Sequence, residues 1–430
     1  MAILEFSICK VVPSFRINFV QNTILSYRDI DIEEFNYSLP EERIAAYPLA
    51  RGESKLLIYK DGKISQSQYK YIAEALPENT WMVFNETKVV QARLLFPKNE
   101  NSLIEVFCLE PYGGLSIEQA MQMQGSIEYL CLVGGARKWK DHDLYIDLGS
   151  VKLKAEKLER LDSSFRIRLS WTGDINFAEM LELAGKTPLP PYIKRAAEET
   201  DKTTYQTSYA RKMGSVAAPT AGLHFNDAIF NDLDQKGIAR NFLTLHVGAG
   251  TFKPVSSSVA EHEMHAEEVF MEANFIRSMH KALLEAKPII CVGTTSLRAI
   301  ESMYWLACML KGGKHWDLDN MIIPQWIGFD QSFKALSPID ALEVLLNFFE
   351  DQAKDWLSFK TQIIIAPGYQ HRIIKGLVTN FHQPKSTLML LIASILGDDW
   401  QKVYQYALDN DFRFLSYGDG CLLNYDGTNA

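Results

Sequence analysis

Three apolar runs in the second half of the chain stop abruptly at polar residues: Ile289-Ile290-Cys291-Val292 at Gly293-Thr294, Phe242-Leu243-Thr244-Leu245 at His246, and Leu377-Val378 at Thr379-Asn380. Runs of this kind read as strands buried on both faces, and their polar ends then lie at a sheet edge, where α/β proteins place ligands. From Phe177 onward such runs alternate with helical patterns. The expected fold there is α/β, a mixed sheet with helices.

Residues 89–169 carry shorter alternating runs, at 103–109, 129–133 and 165–169, mostly separated by turns. This pattern predicts a small all-β barrel or sandwich inserted into the larger domain. The expected organisation is a main α/β domain of residues 31–88 and 170–430, an inserted barrel of residues 89–169, and an N-terminal extension or upstream misread start over residues 1–30. A helix is expected to open near Leu39-Pro40-Glu41-Glu42, and Ser54 to Tyr59 followed by Asp61-Gly62 predicts a strand entering a hairpin. Within residues 303–360, Pro338 starts an apolar stretch that reads as a buried helix.

The six cysteines are far apart and form no Cys-x-x-Cys pair, as expected of buried free thiols in a reducing cytoplasm. No apolar run reaches the roughly 18 to 20 residues of a membrane span, so no membrane partner is expected. A net charge of -9 argues against a general nucleic-acid binder, but leaves room for local basic patches at Lys194-Arg195, at Arg211-Lys212, and at Arg137, Lys138 and Lys140.

The motifs that carry chemistry occupy residues 188–195, 214–225, 245–252, 262–267, 293–298, 379–388 and 414–419. The turn at Gly293 offers Thr294, Thr295, Ser296 and Arg298 as an anion or carboxylate site, with helix capping the plainer reading of its hydroxyls. Ser386 and Thr387 have the same dual reading. Gly222 permits close backbone approach beside Thr220 and His224, or packs a tight turn under a helix. Gly248, Gly250 and Thr251 resemble a phosphate cradle only weakly, because the third glycine of a dinucleotide fingerprint is absent. His262, His265 and Glu267 supply metal-ligand residue types, yet their spacing matches no usual zinc pattern, and hydrogen-bonded structural roles are the plainer reading.

Together these motifs resemble the S-adenosylmethionine:tRNA ribosyltransferase-isomerase family of queuosine biosynthesis. The resemblance runs from about Asp31 to Leu423 and extends to Phe84-Asn85-Glu86-Thr87, Tyr205-Gln206-Thr207-Ser208-Tyr209 and Ala366-Pro367-Gly368-Tyr369. It implies transfer and isomerisation of the ribosyl part of S-adenosylmethionine onto the 7-aminomethyl-7-deazaguanine wobble base of a tRNA with a GUN-type anticodon. The products are epoxyqueuosine-tRNA, adenine and methionine. S-adenosylmethionine is then a consumed substrate, with no bound cofactor and no metal, and the expected enzyme is a cytoplasmic monomer.

That chemistry asks for a base near pKa 7 to remove a ribose C5′ proton acidified by the sulfonium, for which His224, His246 and His382 are candidates, with Asp419 as an orienting or alternative carboxylate. Arg298 and the turn from Thr294 to Ser296 suit the methionine carboxylate. Thr220, Gly222, Gly248, Gly250, Thr251, Asn380, Ser386, Thr387 and Tyr417 complete the expected substrate site. Tyr192, Lys194, Arg195, Tyr205, Gln206 and Tyr209 are the expected RNA contacts, the tyrosines by stacking on bases.

Three departures from the family pattern stand out: Gly420-Cys421 in place of Ala-Met, Asn99-Glu100-Asn101-Ser102 in place of a double glycine, and extra length between Glu301 and Ala366. The competing readings are a metal-dependent hydrolase using His262, His265 and Glu267, and a non-catalytic RNA-binding protein.

Overall fold

A computed structural model of the chain describes residues 30–99, 102–140, 142–162, 164–248, 259–313 and 321–424. The proposed N-terminal extension, apart from Ile30, therefore lies outside the described residues. So do Gly250, Thr251, and two residues of the Asn99 to Ser102 turn.

The main layer is a ten-stranded mixed sheet. At its centre Ala239–His246, Trp81–Asn85, Ile289–Val292 and Gly376–Asn380 lie side by side and parallel. The alternation of side chains explains why their sequences are apolar throughout. Trp81, Val83, Ile289, Cys291 and Leu377 enter one core cluster, while Met82, Phe84, Ile290, Val292 and Val378 enter the cluster on the other face. Gly420–Asn424 pairs antiparallel to Gly376–Asn380, and Lys55–Lys60 with Lys63–Gln68 forms the expected hairpin at one edge. Toward the other edge Glu267–Glu272 runs antiparallel to Ala239–His246.

The second sheet is antiparallel and curled, with seven strands. Leu94, Phe96, Ile104, Val106, Ile127, Cys131, Leu153 and Ile167 form its core. On the other face Glu128 takes Arg166 at 2.7 Å and Arg168 at 2.8 Å, a cross-strand charge cluster. Its strands reach Trp171, and Gly185–Lys186 adds a short edge beyond that.

The Thr294–Lys311 helix is buried nearly all round, since Pro338–Gln352 packs across it as well as the sheet. That second helix starts at Pro338 as the sequence suggests, capped by Ser337. One expectation fails: only a single 3-10 turn, Glu41–Arg43, forms where a helix was expected. Pro48 lies five residues beyond Arg43, and Ile44 and Ala45 turn away to pair with Phe414, Ile44 in an isolated bridge and Ala45 through its amide to the Phe414 carbonyl.

Candidate active site

The four parallel strands end on one edge of the sheet, so Asn85, His246, Gly293 and Asn380 arrive there together. Residues from six of the seven motifs wall a cavity of about 110 Å³ at this edge: Tyr192, 217–221, Val247, 293–295, 379–388 and 415–416. The seventh motif, with His262, His265 and Glu267, walls a smaller cavity of about 40 Å³ that meets the first at Thr387 and Leu388.

The cavity wall is hydrogen-bonded across elements. Thr220 Oγ1 donates to Asn380 Oδ1 at 2.9 Å, and Asn380 Nδ2 donates to the Leu415 carbonyl at 3.3 Å. Tyr192 Oη and Ser416 Oγ meet at 2.7 Å. The helix starting at Thr294 has no side-chain cap, and Thr294 and Thr295 line the cavity, so its first-turn N–H groups and dipole favour an electron-rich ligand atom. Ser296 instead donates to the Val292 carbonyl at 2.8 Å. Ser386 caps the Thr387–Leu396 helix through the Met389 amide at 3.3 Å, which spends its hydroxyl on structure.

The three histidines part company. His382 keeps part of its surface on the main cavity, and its Nε2 lies 2.9 Å from Thr379 Oγ1. His224 is buried, stacked on Tyr69 at 4.0 Å between ring centroids, and faces a separate small cavity beside Arg51 and Tyr417. His246 is buried against Thr87, Nδ1 to Oγ1 at 2.7 Å, and lines neither cavity. Loss of solvation lowers the pKa of His224 to about 3, with help from Arg413 and Arg51. It lowers that of His246 to about 4, with help from Lys212, and that of His382 to about 4. The expectation of a base near pKa 7 is thus not met by any of them. Burial pushes the Asp419 carboxyl up, against the bonds it accepts from the Arg413 and Lys55 amides, both at 2.8 Å. It fastens the strand starting at Lys55 to the 413–419 loop and lies outside the cavity wall.

The expected RNA contacts are mostly turned inward. Tyr205 is 1% exposed and lines the cavity, while Tyr209 is 8% exposed within an aromatic cluster with Phe84 and Phe230. A Cβ at Gly222 would come 2.0 Å from Tyr209 Oη, so that glycine serves close packing. Gln206 bonds both backbone groups of Val89. Arg195 holds both oxygens of Asp201 at 2.7 Å, and Tyr417 Oη donates to the same carboxylate at 2.9 Å. Lys194 is exposed and pairs with Glu41 at 2.6 Å. Gly248 borders no heavy atom within 4 Å of a would-be Cβ.

Sequence reasoning missed Asn85 as a hub. Its side chain accepts from the Leu245 and Thr87 amides, both at 3.1 Å, and donates to the Leu245 carbonyl at 2.9 Å and to Thr295 Oγ1 at 3.4 Å. The signal was present, since Phe84-Asn85 is one more apolar run stopping at a polar residue. Tyr47, 52% exposed with its ring 4.1 Å from the Arg195 guanidinium, was also missed. A larger cleft of about 930 Å³ is walled by no residue of the seven motifs; Glu86, Glu118, Glu272 and Asp355 outweigh Lys212 there, which suits neither phosphate nor the motif chemistry.

Glu267 is ion-paired with the Arg298 guanidinium, and among the described residues no group of three or more His, Cys, Asp or Glu is arranged to hold a metal ion.

Residues 32–423 match the sequence model of a family described as queuosine biosynthesis protein. The S-adenosylmethionine:tRNA ribosyltransferase-isomerase of Legionella pneumophila (strain Paris) is 36% identical over 91% of this chain and 99% of its own. That of Halothermothrix orenii is 35% identical over the same shares. A solved S-adenosylmethionine tRNA ribosyltransferase from Thermotoga maritima is 23% identical, with a TM-score of 0.42 over 90% of this chain and 99% of its own.

Proposed function

Because the chain belongs to the queuosine biosynthesis protein family, we propose that it is an S-adenosylmethionine:tRNA ribosyltransferase-isomerase. It transfers and isomerises the ribosyl part of S-adenosylmethionine onto the 7-aminomethyl-7-deazaguanine wobble base of tRNA, releasing adenine and methionine. The observation that carries this reading is the meeting of all seven motifs on two adjoining cavities at the carboxyl ends of four parallel strands.

His382 is the base in this proposal, because it alone of the three histidines borders the main cavity. Its imidazole takes the C5′ proton beside the sulfonium, the ribose ring opens at the C4′–O4′ bond, and an aldehyde forms at C1′ as adenine leaves with a proton. The aminomethyl nitrogen then bonds to C4′ and loses a proton, C5′ closes on C1′, and the resulting alkoxide forms the epoxide by displacing methionine, which keeps the carbon–sulfur electron pair. His224 and His246 act from behind the wall as positioning residues. Thr220, Asn380, Thr294 and Thr295 orient the nucleoside. The tRNA has a GUN-type anticodon and its loop lies over Lys194 and Tyr47, which are both exposed and adjoin the Arg195–Asp201–Tyr417 cluster.

Residues 31–88 and 170–430 form the α/β domain and residues 89–169 an inserted barrel. The curled seven-stranded sheet supports that division. The enzyme works as a cytoplasmic monomer with no prosthetic group. Five buried free cysteines support a reducing compartment, and no described helix is long and apolar enough to cross a membrane.

The test is incubation with S-adenosylmethionine and tRNA bearing the aminomethyl deazaguanine, followed by mass spectrometry of the digested nucleosides. Epoxyqueuosine with equimolar adenine is expected. No product on a competent tRNA would overturn the reading.

A further inference from the structure

The sequence groups Arg298 with the Thr294 turn as one carboxylate site, but the structure separates them. Thr294 and Thr295 line the main cavity, whereas Arg298, one helical turn further on, lines the smaller one. Arg298 is only 7% exposed. Its Nε donates to the Ile363 carbonyl at 3.2 Å and its Nη1 to Glu267, while its buried Nη2 has no hydrogen-bond partner among the described residues. A buried guanidinium N–H without an acceptor is costly, and a ligand oxygen would satisfy it. Beside it the same cavity offers the Glu267 carboxylate, and Ile363, Ile365 and Leu391 give it an apolar wall.

We propose that this smaller cavity is a zwitterion subsite, in which Arg298 Nη2 takes the α-carboxylate of the donor's amino-acid end and Glu267 its α-ammonium, the aliphatic chain lying on the isoleucine wall. A fixed guanidinium–carboxylate pair presents one charge of each sign, which matches an α-amino acid and nothing in the nucleoside. The donor then spans both cavities across Thr387 and Leu388, with ribose and adenine in the larger. The Thr294 helix start is left free to serve the nucleoside. The proposal rests on the ribosyltransferase reading and deepens it.

Its test is calorimetric binding of three probes to the full-length protein: S-adenosylmethionine, its decarboxylated analogue, and 5′-methylthioadenosine, which lacks the amino-acid end altogether. Loss of one charge-assisted hydrogen bond corresponds to about tenfold or more in Kd, so the wild-type protein is expected to bind the decarboxylated analogue at least about tenfold more weakly than S-adenosylmethionine. In Arg298→Lys and Glu267→Gln, S-adenosylmethionine affinity is expected to fall while 5′-methylthioadenosine affinity stays within about twofold, which also reports that the nucleoside site is still folded. Equal wild-type affinity for S-adenosylmethionine and its decarboxylated analogue overturns the subsite and leaves the ribosyltransferase reading standing. No wild-type binding of S-adenosylmethionine at all overturns both. The wild-type comparison needs no variant, so it decides the matter even if both substitutions unfold the protein.

Discussion

At the scale of single residues, close approach explains why position 420 carries no side chain. A Cβ at Gly420 would lie 2.1 Å from Tyr69 Oη and 2.6 Å from the Thr379 carbonyl. Gly420→Ala is therefore expected to cost about 1–3 kcal/mol, measurable as a lower midpoint in urea; unchanged stability would show that Tyr69 moves aside freely. His382→Ala is expected to lower kcat about a hundredfold or more with little change in donor affinity, because its role is proton transfer. An unchanged kcat removes it as the base. The acid limb of kcat/KM should lie near pH 4, following the lowered His382 pKa, and a limb near pH 6.5 would point to a different group. The residue types in the site were legible from the sequence, but their directions were not. Tyr205, Gln206 and Tyr209 sit in an irregular segment with no period to assign faces, and long-range contacts with Tyr417, Val89 and Phe84 turn them inward.

At the scale of elements, the strand ends were the most legible feature. Apolar runs stopping at Gly293, His246 and Thr379 marked the edge where the cavity forms. The partner that joins two of those ends was missed, because Asn85 acts through hydrogen bonds to residue 245 that are far off in sequence. Asn85→Ala would leave two buried amides and a carbonyl without their side-chain partner. It is expected to cost about 3 kcal/mol and to weaken donor binding through the loss of the Thr295 contact, both read by ligand-dependent thermal unfolding. Stability equal to wild type would show the strand pairing suffices alone. The helix expected near Glu41 failed for a tertiary reason as well, since Ile44 and Ala45 are recruited by Phe414.

At the scale of the whole molecule, alternation in residues 103–109, 129–133 and 165–169 pointed to β structure, and those runs do lie in the curled antiparallel sheet. What sequence periodicity does not encode is which ionisable groups the assembled core strips of water. His224, His246 and His382 are held neutral, with pKa values near 3, 4 and 4, below the ordinary histidine value. The unfolded chain therefore binds protons that the native state refuses, so stability is full above about pH 6.5 and falls toward about pH 4, by up to about 1.4 kcal/mol per pH unit for each histidine. Urea unfolding at a series of pH values should show that slope, and a flat profile across the window would mean that these rings are solvated.

The account's central claim is that this site moves the ribosyl group of S-adenosylmethionine rather than its methyl group. The most direct measurement supplies the donor labelled with carbon-14 in the ribose or, separately, in the methyl group, and counts label in purified precursor tRNA. The account predicts ribose label in the tRNA in step with released adenine, and methyl label remaining with methionine. Methyl label in the tRNA, or adenine release without ribose transfer, would contradict it.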